Sequence, residues 1–199
     1  MTVYAFPSII PNDSSIEYKS NTSVFRSPFN GAIQTLDRGG EGWMYRMNFR
    51  NLTNAQRTEL TAFLVRLNGQ QHRFTAYNHA ESNRGVFGGS PQISGSGQTG
   101  RTVNISNASI NITNWIRAGD WFGIGGELKM CVLDADSDGT GLVTIEFMPR
   151  IRVSPANLSA VTTSAATGQF MLGRDGAKWT NRPGGFSDLS IDSLEDIVA

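Results

Sequence analysis

Arg101-Thr-Val-Asn-Ile-Ser106 begins a run that, read from residue 97 to residue 153, spells out one small β-barrel. Apolar and polar residues alternate along it with the period of a strand whose one face is buried. The turn Arg117-Ala-Gly-Asp120 follows, and Trp121-Phe122-Gly-Ile124 and Glu127-Leu-Lys-Met-Cys-Val-Leu133 continue the strand pattern. An Asp-rich loop then leads into Leu142-Val-Thr-Ile-Glu-Phe-Met148. Short strands joined by Gly and Asp turns are the raw material of small closed barrels. No catalytic set lies within the run. It reads as a module that binds or assembles, appended to a structural protein.

On both sides of this run the composition softens. Residues 84–100 are dominated by Gly and Ser, as in Gly88-Gly-Ser-Pro91 and Ser94-Gly-Ser-Gly-Gln-Thr-Gly100. Residues 154–163 are a second such stretch. Linker compositions of this kind mark boundaries. Strand-like segments resume at 169–172, 177–180 and 186–194, too few to make a domain of their own. They are expected to return and complete the sheet begun at the N-terminus. The predicted organisation is a parent β domain from residues 1–90 and 159–199, with a barrel inserted at 91–158.

Residues 1–11 look like an arm, bounded by Pro7 and Pro11. Residues 16–25 are strand-like, and Ser27-Pro28-Phe29-Asn30-Gly31 turns the chain. Residues 32–36 and 43–49 flank Asp37-Arg-Gly-Gly-Glu-Gly42, a hairpin signature. In the second of these strands Trp43, Tyr45, Met47 and Phe49 share one face. A single convincing helix follows. Thr53 with Gln56 three residues on makes a capping box. Leu60, Phe63, Leu64 and Leu67 form one apolar stripe that packs on a sheet, and Asn68-Gly69 ends the helix. Residues 71–77 then form a strand. The fold class is mainly β: a β-sandwich or split-barrel parent domain with one α-helix, plus an inserted OB-like small β-barrel.

The chain has 199 residues, enough to bury a core without covalent staples. Lys and Arg total 17 and so do Asp and Glu, leaving no basic excess to neutralise phosphates. Residues 91–155 alone hold five basic and six acidic side chains, so the barrel is not a hidden basic module. Nucleic acid is not an expected partner. Cys131 is the lone cysteine and, set in an apolar run, reads as a small buried hydrophobe. The N-terminus does not read as a signal peptide, and no apolar stretch reaches membrane-spanning length. Folding in a cytoplasm is expected.

Four groups of residues could carry chemistry. Asp134-Ala-Asp136-Ser-Asp138-Gly139 matches the opening of a calcium-binding loop, with Asp134, Asp136 and Asp138 as ligands. The twelfth position is Ile145, with Glu146 one place late, and the flanks read as strands. A hairpin turn made by the same residues is the favoured reading. His72 and His79 have no neighbouring ligand pattern for zinc. Glu41, Glu81, Asp120 and Glu146 could contribute to a carboxylate pair, though nothing sets them apart from surface acids. Trp115, Trp121 and Phe122 cluster about one turn and could stack on a saccharide, against the plainer reading that they fill the barrel. No cofactor is implied.

Several landmarks recur in order: the strand with Trp43, the capped helix ending in Leu67-Asn-Gly69, and the strand with Phe74. After these come Gly88-Gly-Ser-Pro91, Gly97-Gln-Thr-Gly100, Ala118-Gly-Asp-Trp-Phe122, Leu128-Lys-Met, and Gly141 before Phe147-Met-Pro149-Arg150. Together they resemble the distal tail proteins of long-tailed, non-contractile bacteriophages over most of the chain, in particular those with an inserted OB-fold domain. The resemblance implies a hexameric ring joining the tail-tube protein to the tail-tip or baseplate hub protein, with a channel for DNA. It implies no enzymatic activity. The location would be the virion tail tip, after assembly in the host cytoplasm. An outward OB-like domain would contact host-surface saccharide. Two other readings stay open: another phage tail or adaptor subunit, and a free-standing OB-fold protein that binds saccharide or oligonucleotide. The apolar arm at 1–11 is expected to pack on a neighbouring copy and close the ring, with fold-back onto its own domain as the alternative.

Overall fold

Alternation with a period of two turns most of this chain into strands. The computed structural model describes residues 1–80, 82–182 and 185–196. The chain opens with β1 (Val3–Ala5), β2 (Asp13–Lys19), β3 (Thr22–Arg26), β4 (Ile33–Asp37) and β5 (Gly42–Leu52). Next come α1 (Asn54–Arg66) and β6 (Arg73–Tyr77). Six strands follow: β7 (Gly89–Ile93), β8 (Gly100–Ala108), β9 (Trp121–Ile124), β10 (Glu127–Cys131), β11 (Val143–Ile151) and β12 (Val161–Thr162). The described chain ends with β13 (Thr167–Asn181) and β14 (Ser187–Glu195). The fold is mainly β, with one helix and two curled six-stranded sheets, the second nearly closed into a barrel. Of the residues read as the parent domain, 183–184 and 197–199 lie outside those described, and so does Glu81.

The first sheet runs β1-β6-β13-β14-β5-β2. Both ends of the chain are needed to build it, because β13 and β14 insert between β6 and β5. β5 turns Trp43, Tyr45, Met47 and Phe49 inward. β14 alternates in step, with Leu189 and Ile191 buried beside them. The helix α1 lies across this face. Thr53 accepts from the Gln56 amide, and the Gln56 side chain accepts in return from the Thr53 amide. Leu60, Leu64 and Leu67 are buried, and the Phe63 ring meets Phe6 and Phe74 edge-on. Asn68 and Gly69 end the helix at φ 48° and 64°, the left-handed region those two residue types tolerate best.

The N-terminal arm takes the alternative course. β1 pairs in parallel with β6, Phe6 wedges among Phe49, Phe63 and Phe74, and Ile9 is buried. The edge of β6 offered unpaired backbone groups, and its own chain satisfies them. Packing of this arm on a neighbour is therefore corrected.

The second sheet runs β12-β9-β10-β11-β8-β7. Val103, Ile105, Phe122, Cys131, Val143, Ile145 and Phe147 fill it. Its end strands meet: Ile93 N donates to Ser159 O at 2.9 Å, Leu158 N to Ile93 O at 2.9 Å, and Gln92 bridges to Ala160.

Three local expectations change. Residues 84–100 are not a free linker, since β7 lies within them and pairs with β8. A Cβ on Gly89 would sit 2.3 Å from Asn107 O, so glycine stands there for close approach. Residues 16–25 divide into β2 and β3. The Asp37–Gly42 turn does not join a hairpin: β4 pairs with β3, whereas β5 pairs with β2 and β14.

The two sheets also share apolar core. Trp121 and Leu128 of the barrel belong to the cluster that holds Trp43, Tyr45 and Phe170. The Trp43 and Trp121 rings lie 4.7 Å apart, and Trp43 Nε1 donates to Leu128 O at 3.0 Å. No helix among the described residues is long and apolar enough to cross a membrane.

Candidate functional site

Most of the residues singled out in the sequence have a structural occupation. Trp115 is fully buried, its Nε1 donating to Gly88 O at 3.1 Å and its ring against Phe87. Phe122 is fully buried edge-on to Phe147, and Trp121 is sealed beneath Trp43. None of the three offers an open ring face, which corrects their reading as a saccharide platform. The cause is that β9 is covered on both sides. Phe122 and Ile124 point into the barrel, while Trp121 faces the parent core.

The three loop aspartates do not converge. Asp134 accepts from the Ala118 amide, Asp136 from the Asn114 amide, and Asp138 from the Thr140 and Leu142 amides. The Leu142 amide, then the Thr140 hydroxyl, hold Asp138 below the usual carboxylate range. Asp138 closes its own turn, as Asp commonly does, while Asp134 and Asp136 hold the 114–118 segment that runs beside the loop. Among the described residues no group of three His, Cys, Asp or Glu is arranged to hold a metal ion.

The acids considered as a pair stand in unlike surroundings. Asp120 is buried and accepts from the Arg84, Gly85 and Arg117 amides. Glu146 is exposed on the barrel. Glu81 lies outside the described residues. Burial pushes the Cys131 thiol up to about 11, and its Sγ donates to Leu133 O. A thiol so placed is no nucleophile.

Glu41 holds the junction of the two sheets. Its carboxylate is buried, and it accepts from the Arg150 amide and guanidinium and from Arg101. Burial pushes Glu41 up, but the Arg150 contacts outweigh it and hold the group below the usual carboxylate value. Behind it, Arg152 pairs with buried Glu195 at 2.7 Å, and buried Lys129 pairs with Glu127 at 2.5 Å. Charges this deep need partners; the Glu41–Arg150 and Arg152–Glu195 contacts bind barrel to parent sheet, whereas the Lys129–Glu127 pair lies within the barrel. Each acid and base of this network has a charged partner, although Glu195 Oε1 is buried with no hydrogen-bond partner among the described residues.

What the sequence reading missed is a surface. β3 and β4 form a separate two-stranded sheet with no buried residue. Its register puts Val24 and Ile33 on one face and Phe25 and Leu36 on the other. All four are more than half exposed, and Phe29 at the tip is 98% exposed. The available signal was the adjacency of Val24 and Phe25, which gives both faces an apolar residue where a sheet with one wet face would alternate. A second apolar feature lies on the parent domain. Ala62, Val65 and Trp179, flanked by Arg57 and Arg66, line a groove of about 620 Å³.

The chain matches no protein-family model, and no curated protein is significantly similar to it.

Proposed function

We propose that this chain is a structural subunit of a bacteriophage tail, forming the distal ring that joins the tail tube to the tail-tip complex. The observation that carries the reading is the β3–β4 hairpin. Two strands with apolar residues on both faces and no third strand are marginal in water. An apolar patch of that kind marks a protein contact. The junction supports the same reading: a barrel tied to its parent sheet by shared core and a charge network suits a rigid assembly part. The ordered landmarks quoted above supply the tail, the ring and the count of six. The barrel would face outward, and a role in host-surface contact would fall to parts of it other than Trp115, Trp121 and Phe122.

Mass measurement of the purified chain, alone and mixed with neighbouring tail proteins, tests this. Particles of ring mass are expected, with peripheral lobes in negative-stain images. A chain that stays monomeric in both settings overturns the assembly reading and favours a free-standing binding protein.

A further inference from the structure

Where the two sheets meet, beside the end of β6, the chain encloses a cavity of about 290 Å³. That is close to the smallest volume a small-molecule site takes. Its walls are residues 77–79 and 82–83, Trp121 at the start of β9, and residues 163–166 between β12 and β13. The wall is firmly held. Asn83 Nδ2 donates to Trp121 O at 2.7 Å and to Thr163 O at 2.8 Å, and its Oδ1 accepts from the Trp121 amide at 2.7 Å. Ala165 stands at φ 46°, a left-handed conformation that an alanine keeps only where its surroundings impose it. Strain of that kind gathers at ligand clamps.

The cavity is amphipathic and neutral. Tyr77 keeps 37% of its surface exposed, with the His79 ring against it at 4.0 Å between centroids. His79 Nδ1 meets the Tyr45 hydroxyl at 2.8 Å, which leaves Nε2 as the ring nitrogen open to a ligand. Asn78 Oδ1 accepts from the Ala80 amide at 3.2 Å, but its Nδ2 is buried with no hydrogen-bond partner among the described residues. A buried donor left unpaired is costly and calls for an acceptor. Among the described residues that line the cavity, His79 is the only acid or base apart from the Tyr77 phenol, and its burial holds it below the usual histidine value.

We propose that this cavity binds one ring of a neutral saccharide, with Tyr77 as the stacking platform and Asn78 and His79 as its hydrogen-bonding pair. A pyranose has an apolar C–H face, which suits an aromatic ring, and a rim of hydroxyls that each donate and accept. One hydroxyl can accept from Asn78 Nδ2 while another donates to His79 Nε2. A charged sugar would leave water here without a counter-charge, which the neutral wall penalises. The site gives the host-contact reading above a place at the junction rather than on the barrel aromatics, and it does not depend on ring assembly.

The probes are the methyl glycosides of glucose, galactose and N-acetylglucosamine, titrated into the full-length chain and followed by NMR, with methyl glucuronide as the charged comparison. At least one neutral glycoside should bind saturably and at least tenfold more tightly than the glucuronide. Tyr77→Ala should weaken that binding at least tenfold. Ser164→Trp, at an exposed position of the wall, should fill the cavity and weaken it as much while melting with the wild type. Trp179→Ala removes the exposed aromatic of the other groove and should bind as the wild type does. If none of the three glycosides binds, the cavity holds only water and the proposal fails, while ring formation keeps its own test above. Equal binding of the glucuronide, binding that survives Ser164→Trp, or binding lost in Trp179→Ala overturns it too.

Discussion

The hairpins β3–β4 and β7–β8 are built alike and end in opposite surroundings. Both pair two short antiparallel strands across a loop containing Gly, and both carry β-branched residues at strand positions. β7–β8 buries Ile93, Val103, Ile105 and Ala108, whereas β3–β4 buries nothing. The difference is the third strand. β8 has β11 along its other edge, and β7 meets the Leu158–Ala160 backbone. Among the described residues β3 and β4 pair only with each other, and Asp37 at the base alone reaches the barrel, through Arg101 and Arg150. Strand propensity therefore does not decide which hairpin is stable in the single chain. A neighbour decides it, and among the described residues β3–β4 has no third strand beside it.

The largest effect should come from the buried member. Ile105→Ala should cost about 2–5 kcal/mol, as large core truncations do. Denaturant unfolding checks this, and a loss below about 1 kcal/mol would mean that the barrel core is loosely packed. Because Trp43 and Trp121 share one cluster, the variant should still unfold in one transition. Two transitions, or release of a barrel fragment by limited proteolysis, would show that the halves stand independently.

The glycines sharpen the contrast. Gly89 in β7 has φ +84°, and a Cβ there would strike a backbone carbonyl. Gly31 at the tip of β3–β4 has φ +70°, with its nearest neighbour at 3.8 Å. Left-handed strain alone is about 1–2 kcal/mol for an alanine. Gly89→Ala should lose more than that, because Asn107 O must also shift. Gly31→Ala should leave global unfolding unchanged, since its strain falls on a hairpin that the core does not need. Equal losses at the two sites would erase the distinction.

Much of the fold was legible. The alternation from Trp43 to Phe49 and the Thr53–Gln56 box report local physics, and local physics settled them. The Asp37–Gly42 turn shows where that ends. Its glycines turn the chain as expected, with Asp37 accepting from the Gly39 amide, but no local signal says which strands will pair. Gly88-Gly-Ser-Pro91 fails for a related reason. Glycine serves both flexible linkers and close backbone approach, and only the position of Asn107 distinguishes them. The aromatic cluster is buried, as its plainer reading has it, but alternation gives the face of a strand and not what covers it. Trp121 points away from the barrel, as alternation allows, and the parent sheet is there to meet it.

Acid should act at the base of the exposed hairpin, where Glu41 and Asp37 face Arg101 and Arg150. Burial alone would raise Glu41, but its arginine contacts leave it lowered in the folded chain. A lowered carboxylate gives stability that is fully present above its unfolded value, about 4.3 for Glu. That stability is lost as the pH falls through the folded value. The melting temperature should therefore decline below about pH 4.5. Glu41→Gln should lower the neutral-pH melting temperature and flatten the acid decline. A decline of the same steepness in Glu41→Gln would assign the acid sensitivity to other carboxylates.

The smallest effect should come from Phe25→Ala in the single chain. Removing a phenylalanine from a core loses about 3–5 kcal/mol. Phe25 is more than half exposed, and its cross-strand neighbour on the open face is Gln34. Truncation there should fall within about 0.5 kcal/mol of the wild type, as surface changes do. The measurement belongs at concentrations where the chain is monomeric, because any association would stabilise the folded state by mass action. Repeated at higher concentration, the wild type should gain stability and Phe25→Ala should gain less. A loss above about 1 kcal/mol in the monomer would mean that the hairpin folds back onto its own chain in solution. The two hairpins would then differ only in which part of the same molecule covers them.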